Sequence, residues 1–177
     1  MLSGELYLAS DPELAAAHRS ARLLVERFNA TSVTEREERD SVLRELLGEL
    51  GEATEIKPPF QCDYGFTIRV GARSFVNYGA TILDCAPVTI GDEVQIANDV
   101  TLLTATHPLE AGPRRQGWES AAPIAIADGA WLGGGAIVCP GVTIGENTVV
   151  GAGSVVTRDL PAGVLAVGNP CRVVREL

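Results

Sequence analysis

The residues best suited to chemistry lie in one short segment, Thr104-Ala105-Thr106-His107-Pro108. An unperturbed imidazole titrates near ~6.5, so at neutral pH its free ring nitrogen can take a proton from a hydroxyl group. General-base assistance of this kind contributes on the order of 10²- to 10⁴-fold in rate. The chain has 2 histidines. His18 falls in a helical stretch near the N-terminus, whereas His107 stands where a regular repeat stops and a long polar excursion begins. The 4 cysteines, Cys62, Cys85, Cys139 and Cys171, are scattered without Cys-x-x-Cys spacing, the pattern of free thiols in a reducing cytoplasm.

The element that must position His107 is announced by a six-residue beat. Ile126, Leu132, Val138, Ile144, Val150 and Val156 recur at strict intervals of six. A helix repeats near 3.6 and a strand near 2, so neither accounts for that spacing; a coil that turns a corner every six residues does. Small or branched residues (Ala130, Ala136, Val142, Thr148, Ser154) follow four places later, and Ala127, Gly133, Gly145 and Gly151 follow one place later. Large aliphatic, small inward residue and permissive corner together predict one side of a triangular β-helix. The beat is present earlier in Val70, Val76 and Ile82 and again, after a two-residue slip at Asp84-Cys85-Ala86-Pro87, in Ile90, Ile96 and Leu102. It breaks from Thr104 to Pro123, an excursion long enough to imply function or disorder, with His107 at its base.

The N-terminal residues read differently. Leu14, Ala17, Ala21, Leu24, Val25 and Phe28 recur at helical spacing after the start signal Ser10-Asp11-Pro12. A second helix is predicted to open at Thr34, with Thr34 and Glu37 as a capping box, and to bury Val42, Leu46, Leu47 and Leu50. A hairpin this small cannot bury a core alone and is expected to pack on the coil. Lys57-Pro58-Pro59-Phe60 reads as the hinge, which divides the chain into a helical hairpin at 1–56 and a β-helix at 57–177 carrying the excursion loop 104–123.

Composition narrows the function. A net charge of −9 and a pI near 4.7 leave no basic footprint for nucleic acid or for an anionic membrane surface. No apolar run approaches the roughly 18 residues of a membrane span, and the opening Met1-Leu2-Ser3-Gly4-Glu5 lacks the regions of a signal peptide, so a cytoplasmic location is expected.

Several motifs then carry a specific resemblance: Gly4-Glu5-Leu6-Tyr7, Cys62-Asp63-Tyr64-Gly65, Asn77, Leu83-Asp84, Thr106-His107-Pro108, Trp131-Leu132-Gly133-Gly134, Pro140-Gly141-Val142-Thr143-Ile144-Gly145 and Gly168-Asn169-Pro170. Nearly end to end, the chain resembles the maltose and galactoside O-acetyltransferases, with the nodulation acetyltransferases, among the hexapeptide-repeat acyltransferases. The resemblance implies a mainly β fold, a left-handed parallel β-helix, assembled as a homotrimer with active sites between subunits. It implies acetyl-CoA as co-substrate, a sugar hydroxyl as acceptor and no required metal.

Residue by residue, the resemblance makes His107 the general base and Asn77 a contact to acetyl-CoA or the reacting centre. Trp131, Gly134, Ala152, Thr157, Arg158, Arg172 and Arg175 would line the cofactor groove, the arginines countering the phosphates of CoA. Asp63, Asp84 and Glu119, with Asp11 less strongly implied, would bind the acceptor, since carboxylates accept directional hydrogen bonds from sugar hydroxyls. Glu119 follows the maltose-type loop pattern Gly117-x-Glu119 and tilts the acceptor toward maltose or glucose. Rival readings are few. A γ-type carbonic anhydrase needs three metal histidines, which this chain lacks. Acetyltransferases of antibiotics or of serine share the coil without this hairpin pattern, and a non-catalytic scaffold would need neither the Thr-His-Pro loop nor the terminal arginines.

Overall fold

An aliphatic residue every six positions, with a small one four places on, lets the chain round a corner before the next aliphatic is due. In the computed structural model, which describes residues 1–177, the strands accordingly wind into a parallel β-helix with three faces. The first face stacks Glu49–Leu50, Ile68–Val70, Val88–Ile90, Ile124–Ile126 and Thr143–Ile144. The second stacks Glu55–Ile56, Phe75–Val76, Gln95–Ile96, Trp131–Leu132, Val149–Val150 and Val164–Val167. The third stacks Phe60–Cys62, Ala80–Leu83, Thr101–Leu103, Ile137–Val138 and Val155–Val156. Register follows the inward aliphatics: Val76 pairs with Ile96, Ile96 with Leu132 and Leu132 with Val150, and all four are buried. The mainly β architecture with a helical hairpin is the one the repeat implies. No helix is long and apolar enough to cross a membrane.

The corners are held by hydroxyl groups that the core would otherwise penalise. Ser74 is buried; its Oγ donates to the Gly91 carbonyl at 2.9 Å and accepts from the Val94 N–H at 3.0 Å. Ser154 accepts the Gly168 N–H in the same way at 3.0 Å. A buried hydroxyl is stable only when so satisfied, which is why serine and threonine can replace alanine in the small-residue column.

Two boundaries differ from the sequence reading. The coil starts at Glu49, because Leu50 already pairs with Val70 and Ile56 with Val76. Leu50, Thr54 and Ile56 obey the six-residue and plus-four spacing, so a coil beginning at 57 omits the first two strands of its first turn. Lys57-Pro58-Pro59-Phe60 is consequently a corner of the coil and no hinge: Phe60 is fully buried, meets the Phe28 ring edge to face at 6.4 Å, and is bracketed by the Asn29 amide.

Helix α1 (Pro12–Asn29) begins as expected, with the Asp11 carboxylate accepting the N–H groups of Glu13 and Leu14. Helix α2 (Arg36–Leu46) begins later than Thr34 and is not capped by Thr34 with Glu37. The reciprocal contact forms two residues earlier, where the Glu35 carboxylate accepts the Ser32 N–H at 2.7 Å. The hairpin buries Ala21, Val25 and Phe28 from α1 and Val42, Leu43 and Leu46 from α2 against the coil.

Candidate active site

The corner joining the third face to the first is where the repeat is broken in successive turns of the coil. It carries residues 63–67 in one turn, the two-residue slip at 84–87 in the next, and the whole excursion 104–123 above that. Three irregularities far apart in sequence therefore stack into one wall. Thr104, fully buried at the neck of the excursion, ties them together: its Oγ donates to the Leu83 carbonyl at 2.6 Å and accepts the Ala86 N–H at 3.0 Å. The Ala122 N–H closes the neck on the Thr104 carbonyl at 2.9 Å.

The excursion is ordered as a three-stranded antiparallel sheet in which Trp118–Ala121 lies between Ala105–Thr106 and the N-terminal Tyr7–Leu8. A short helix, α3 (Ala111–Arg115), turns its tip. Arg114 donates to the carbonyls of Pro108 and Leu109 and fastens that tip. Pairing of Tyr7 with Glu119 fixes the Glu119 side chain beside His107: the Tyr7 hydroxyl donates to Glu119 Oε2 at 3.1 Å, while Glu119 Oε1 stands 4.0 Å from His107 Nδ1.

Beneath these residues and against α1 opens a cleft of ≈ 730 Å³. His107, Glu119, Asp63, Tyr64 and Cys85 line it from the coil, and His18, Arg19 and Arg22 line it from the helix. Asp63 reaches His18 Nε2 at 3.7 Å, and the Cys85 thiol donates to Asp63 Oδ2 at 3.6 Å. Burial, reinforced by the neighbouring Asp84 carboxylate, raises the Asp63 carboxyl above its ordinary value. Burial likewise pushes the Cys85 thiol up to about 11 and the Tyr64 phenol up to about 12, so both are hydrogen-bond donors at neutral pH. The Tyr7 phenol is raised too, by burial first and then by Cys85 and Glu119.

Asp63, Glu119 and His107 share the cleft. Asp84 does not: it is wholly buried, its Oδ1 accepts the N–H groups of Asp63 and Tyr64 at 2.9 Å each, and its Oδ2 accepts the Thr67 hydroxyl at 2.6 Å. Asp84 positions the Asp63 turn and touches no acceptor. Asp11 is committed to the start of α1 and lies in a separate hollow with Tyr7, Leu8 and Trp118. Tyr64, His18, Arg19, Arg22 and Cys85 were missed as cleft residues, and Tyr7 as the residue that holds Glu119. Tyr7 stands in the Gly4-Glu5-Leu6-Tyr7 motif, and the three α1 residues lie on the polar side of the helical stripe, but neither signal says what they face.

The remaining candidates divide between two edges of the third face. Asn77, Gly134 and Ala152 lie at the corner that enters the face, whereas His107, Thr157 and Arg158 lie at the corner that leaves it. About six residues of extended chain, roughly 20 Å, separate the two edges, so one chain cannot bring Asn77 to His107. At the entering corner the backbone of Gly134 and Gly135 is partly exposed, next to the buried Gly133, whose Cβ would meet the Ala152 nitrogen at 2.5 Å. Trp131 is 53% exposed beside it. Arg172 and Arg175 belong to the exposed strand Arg172–Glu176, which runs antiparallel to Val164–Val167. Partly exposed glycine backbone, a half-exposed indole and exposed arginines, of which Arg172 also donates to the Cys171 carbonyl at 2.7 Å, fit a long, amide-containing, phosphate-bearing ligand.

The comparisons with known proteins agree with this geometry. Residues 1–51 match the maltose acetyltransferase hexapeptide capping motif, and residues 123–158 match the bacterial transferase hexapeptide (six repeats). The chain is 39% identical to the galactoside O-acetyltransferase of Escherichia coli over 99% of its own length and 86% of the relative's. It superposes on the crystal structure of a maltose O-acetyltransferase from Clostridium difficile with a TM-score of 0.97 at 42% identity, covering 99% of this chain and 94% of that one. A hexapeptide-repeat acetyltransferase from Vibrio cholerae, solved in complex with acetyl coenzyme A, superposes with a TM-score of 0.94 at 39% identity over 100% of this chain and 96% of that one.

Proposed function

This chain belongs to the hexapeptide-repeat acetyltransferases of the maltose and galactoside O-acetyltransferase group, and from that premise we propose that it transfers an acetyl group from acetyl-CoA to a sugar hydroxyl, with a maltose- or glucose-type acceptor. The observation that carries this reading is the shared cleft of His107, Glu119 and Asp63 on the wall built from three interruptions of the coil. Acetyl-CoA supplies the activated carbonyl, held as a thioester. His107 accepts the proton of the acceptor hydroxyl as its oxygen attacks that carbonyl; the C–S bond then breaks and the CoA sulfur leaves with the proton returned from His107, so no acyl-enzyme is needed. Glu119, fixed by the Tyr7 hydroxyl, stands near enough to Nδ1 to favour the tautomer that leaves Nε2 free. Asp63 accepts hydrogen bonds from other hydroxyls of the sugar and orients the reacting one.

Asn77 contributes a side-chain amide to the reacting centre or to the co-substrate. The Gly133-Gly134-Gly135 strip, Ala152 and Trp131 receive the pantetheine arm, while Thr157, Arg158, Arg172 and Arg175 answer the phosphates. Because these groups divide between opposite edges of one face, the working enzyme is a homotrimer in which the leaving edge of one subunit faces the entering edge of the next. That arrangement is supported by the separation of Asn77 from His107 and is the way a closed ring completes a half-site. Four free cysteines suit a reducing cytoplasm.

The test is CoA release from acetyl-CoA with maltose, glucose, a galactoside, serine and chloramphenicol as acceptors, comparing the parent with His107→Ala. Sugar-dependent release that falls by about 10² or more in the variant is the expected result. Release that depends only on serine or chloramphenicol, or that survives the substitution, would overturn the assignment.

A further inference from the structure

A second, smaller hollow of ≈ 140 Å³ opens beside the cleft and shares His18, Arg22, Asp63 and Leu83 with it; Gln61 and Cys62 complete its lining. Arg22 belongs to both spaces. Arg19, three residues earlier on the same exposed face of α1, lies on the rim of the cleft, and residues three apart on a helix are neighbours. Neither guanidinium has an ion pair or a side-chain hydrogen bond, although acidic residues outnumber basic ones 23 to 14 and several surface arginines do find partners. Of the acids at the cleft, Asp63 faces His18 and Cys85 and Glu119 faces Tyr7 and His107, which leaves the Glu26 side chain without a partner. Glu26, one turn beyond Arg22, marks the far end of the cationic stretch. The Arg22 guanidinium and the Gln61 amide at the small hollow, with the Arg19 guanidinium one helical turn away on the adjoining cleft, form a seat for an anion.

We propose that the acceptor carries an acidic substituent, a carboxylate or a phosphate, on the part remote from the acetylated hydroxyl, and that Arg22 and Gln61 receive it in this hollow, with Arg19 approaching it from the cleft. The inference rests on the sugar O-acetyltransferase reading and names the class of sugar. The chemistry asked of the arginines is bidentate pairing with planar or tetrahedral oxyanions, which lysine does not reproduce.

The experiment measures kcat/KM for glucose, glucuronate and glucose 6-phosphate at low and high salt, in the parent and in Arg19→Ala/Arg22→Ala and Arg22→Lys, with oligomeric state checked for each. Hydrogen bonds to charged groups predict a preference of about tenfold or more for one of the acids over glucose, lost in the double variant, weakened in the lysine variant and reduced by salt. Preference for glucuronate identifies the carboxylate as the substituent; preference for glucose 6-phosphate identifies the phosphate. Equal use of charged and neutral sugars, or equal losses on all three in the variants, would overturn the proposal while leaving sugar acetylation standing. Acetyl transfer to none of them, with acetyl-CoA still bound, would remove the function on which it rests. A double variant that changes the oligomeric state without changing the charged-to-neutral ratio would reassign the arginines to a subunit contact.

Discussion

Asp63 lies a quarter exposed between the buried Asp84 and the Cys85 thiol, and its carboxyl is raised by burial first and by Asp84 second. A raised carboxyl means that the native chain holds this proton more tightly than the unfolded chain does. The favourable contribution of the protonated form is therefore fully present below the unfolded value of 3.8 and is lost as pH rises through the folded value. The Asp63 carboxylate is therefore held at a cost to folding, for which the proposed role in acceptor binding would account. Asp63→Asn is expected to raise the thermal midpoint at pH 7 and to raise the acceptor KM, with the stability gain fading below 3.8. Thermal scans across pH check the first statement and steady-state kinetics the second; a midpoint that falls at pH 7 would show that the His18 contact outweighs the desolvation of the carboxylate.

At the level of the coil, each corner needs particular backbone conformations, and these do not always coincide with glycine. Ala53 has φ 58 and Asn147 φ 54, left-handed values at which an L side chain costs about 1–2 kcal/mol. Ala53→Gly is expected to stabilise the protein by about 0.5–1 kcal/mol, the strain relieved less the added freedom of the unfolded chain. Gly145 presents the opposite case: its φ is unexceptional, but a Cβ would stand 2.4 Å from the Ala162 nitrogen, so Gly145→Ala should destabilise by about 1–3 kcal/mol. Urea unfolding of both variants tests the pair. A corner glycine can thus be required by space or by torsion, and the sequence does not distinguish the two. The hairpin shows the same economy at larger scale, since Phe28, Asn29 and Phe60 lock helix to coil and set α1 as one wall of the cleft.

For the whole molecule, the separation of Asn77 from His107 across the third face makes a strong prediction. If sites form between subunits of a ring, His107→Ala and Asn77→Ala chains are each inactive, yet mixed trimers contain some sites with both native residues. Random mixing of equal amounts should restore about a quarter of parent activity after denaturation and reassembly. An inactive mixture that still forms trimers would mean that one chain supplies both His107 and Asn77 to each site, against a site between subunits. The same experiment separates Thr157 and Arg158, on the edge of His107, from Gly134 and Ala152, on the edge of Asn77: variants on one edge should complement those on the other.

Some of this protein is written locally in its chain and some is not. The six-residue beat determined the β-helix, because a repeating inward aliphatic and a repeating corner are local constraints that each turn satisfies in the same way. The start of α1 was equally legible, since Asp11 caps its own next residues. The first turn of the coil at Leu50, Thr54 and Ile56 was written in the same code and was obscured only by the helical stretch before it. What tertiary structure decided was the meaning of the interruptions. Residues 63–67, 84–87 and 104–123 look independent along the chain and become one wall because equal turns stack equal corners. Asp63 and Asp84 look alike as two acidic residues at coil corners, yet one lines the cleft and the other is sealed beneath it, because the inward or outward aim of a corner carboxylate is set by which neighbouring N–H groups lack a partner. The cationic face of α1 had no meaning until packing of Phe28 on Phe60 turned Arg19 and Arg22 toward the site, a contact between residues far apart in sequence that no local pattern encodes.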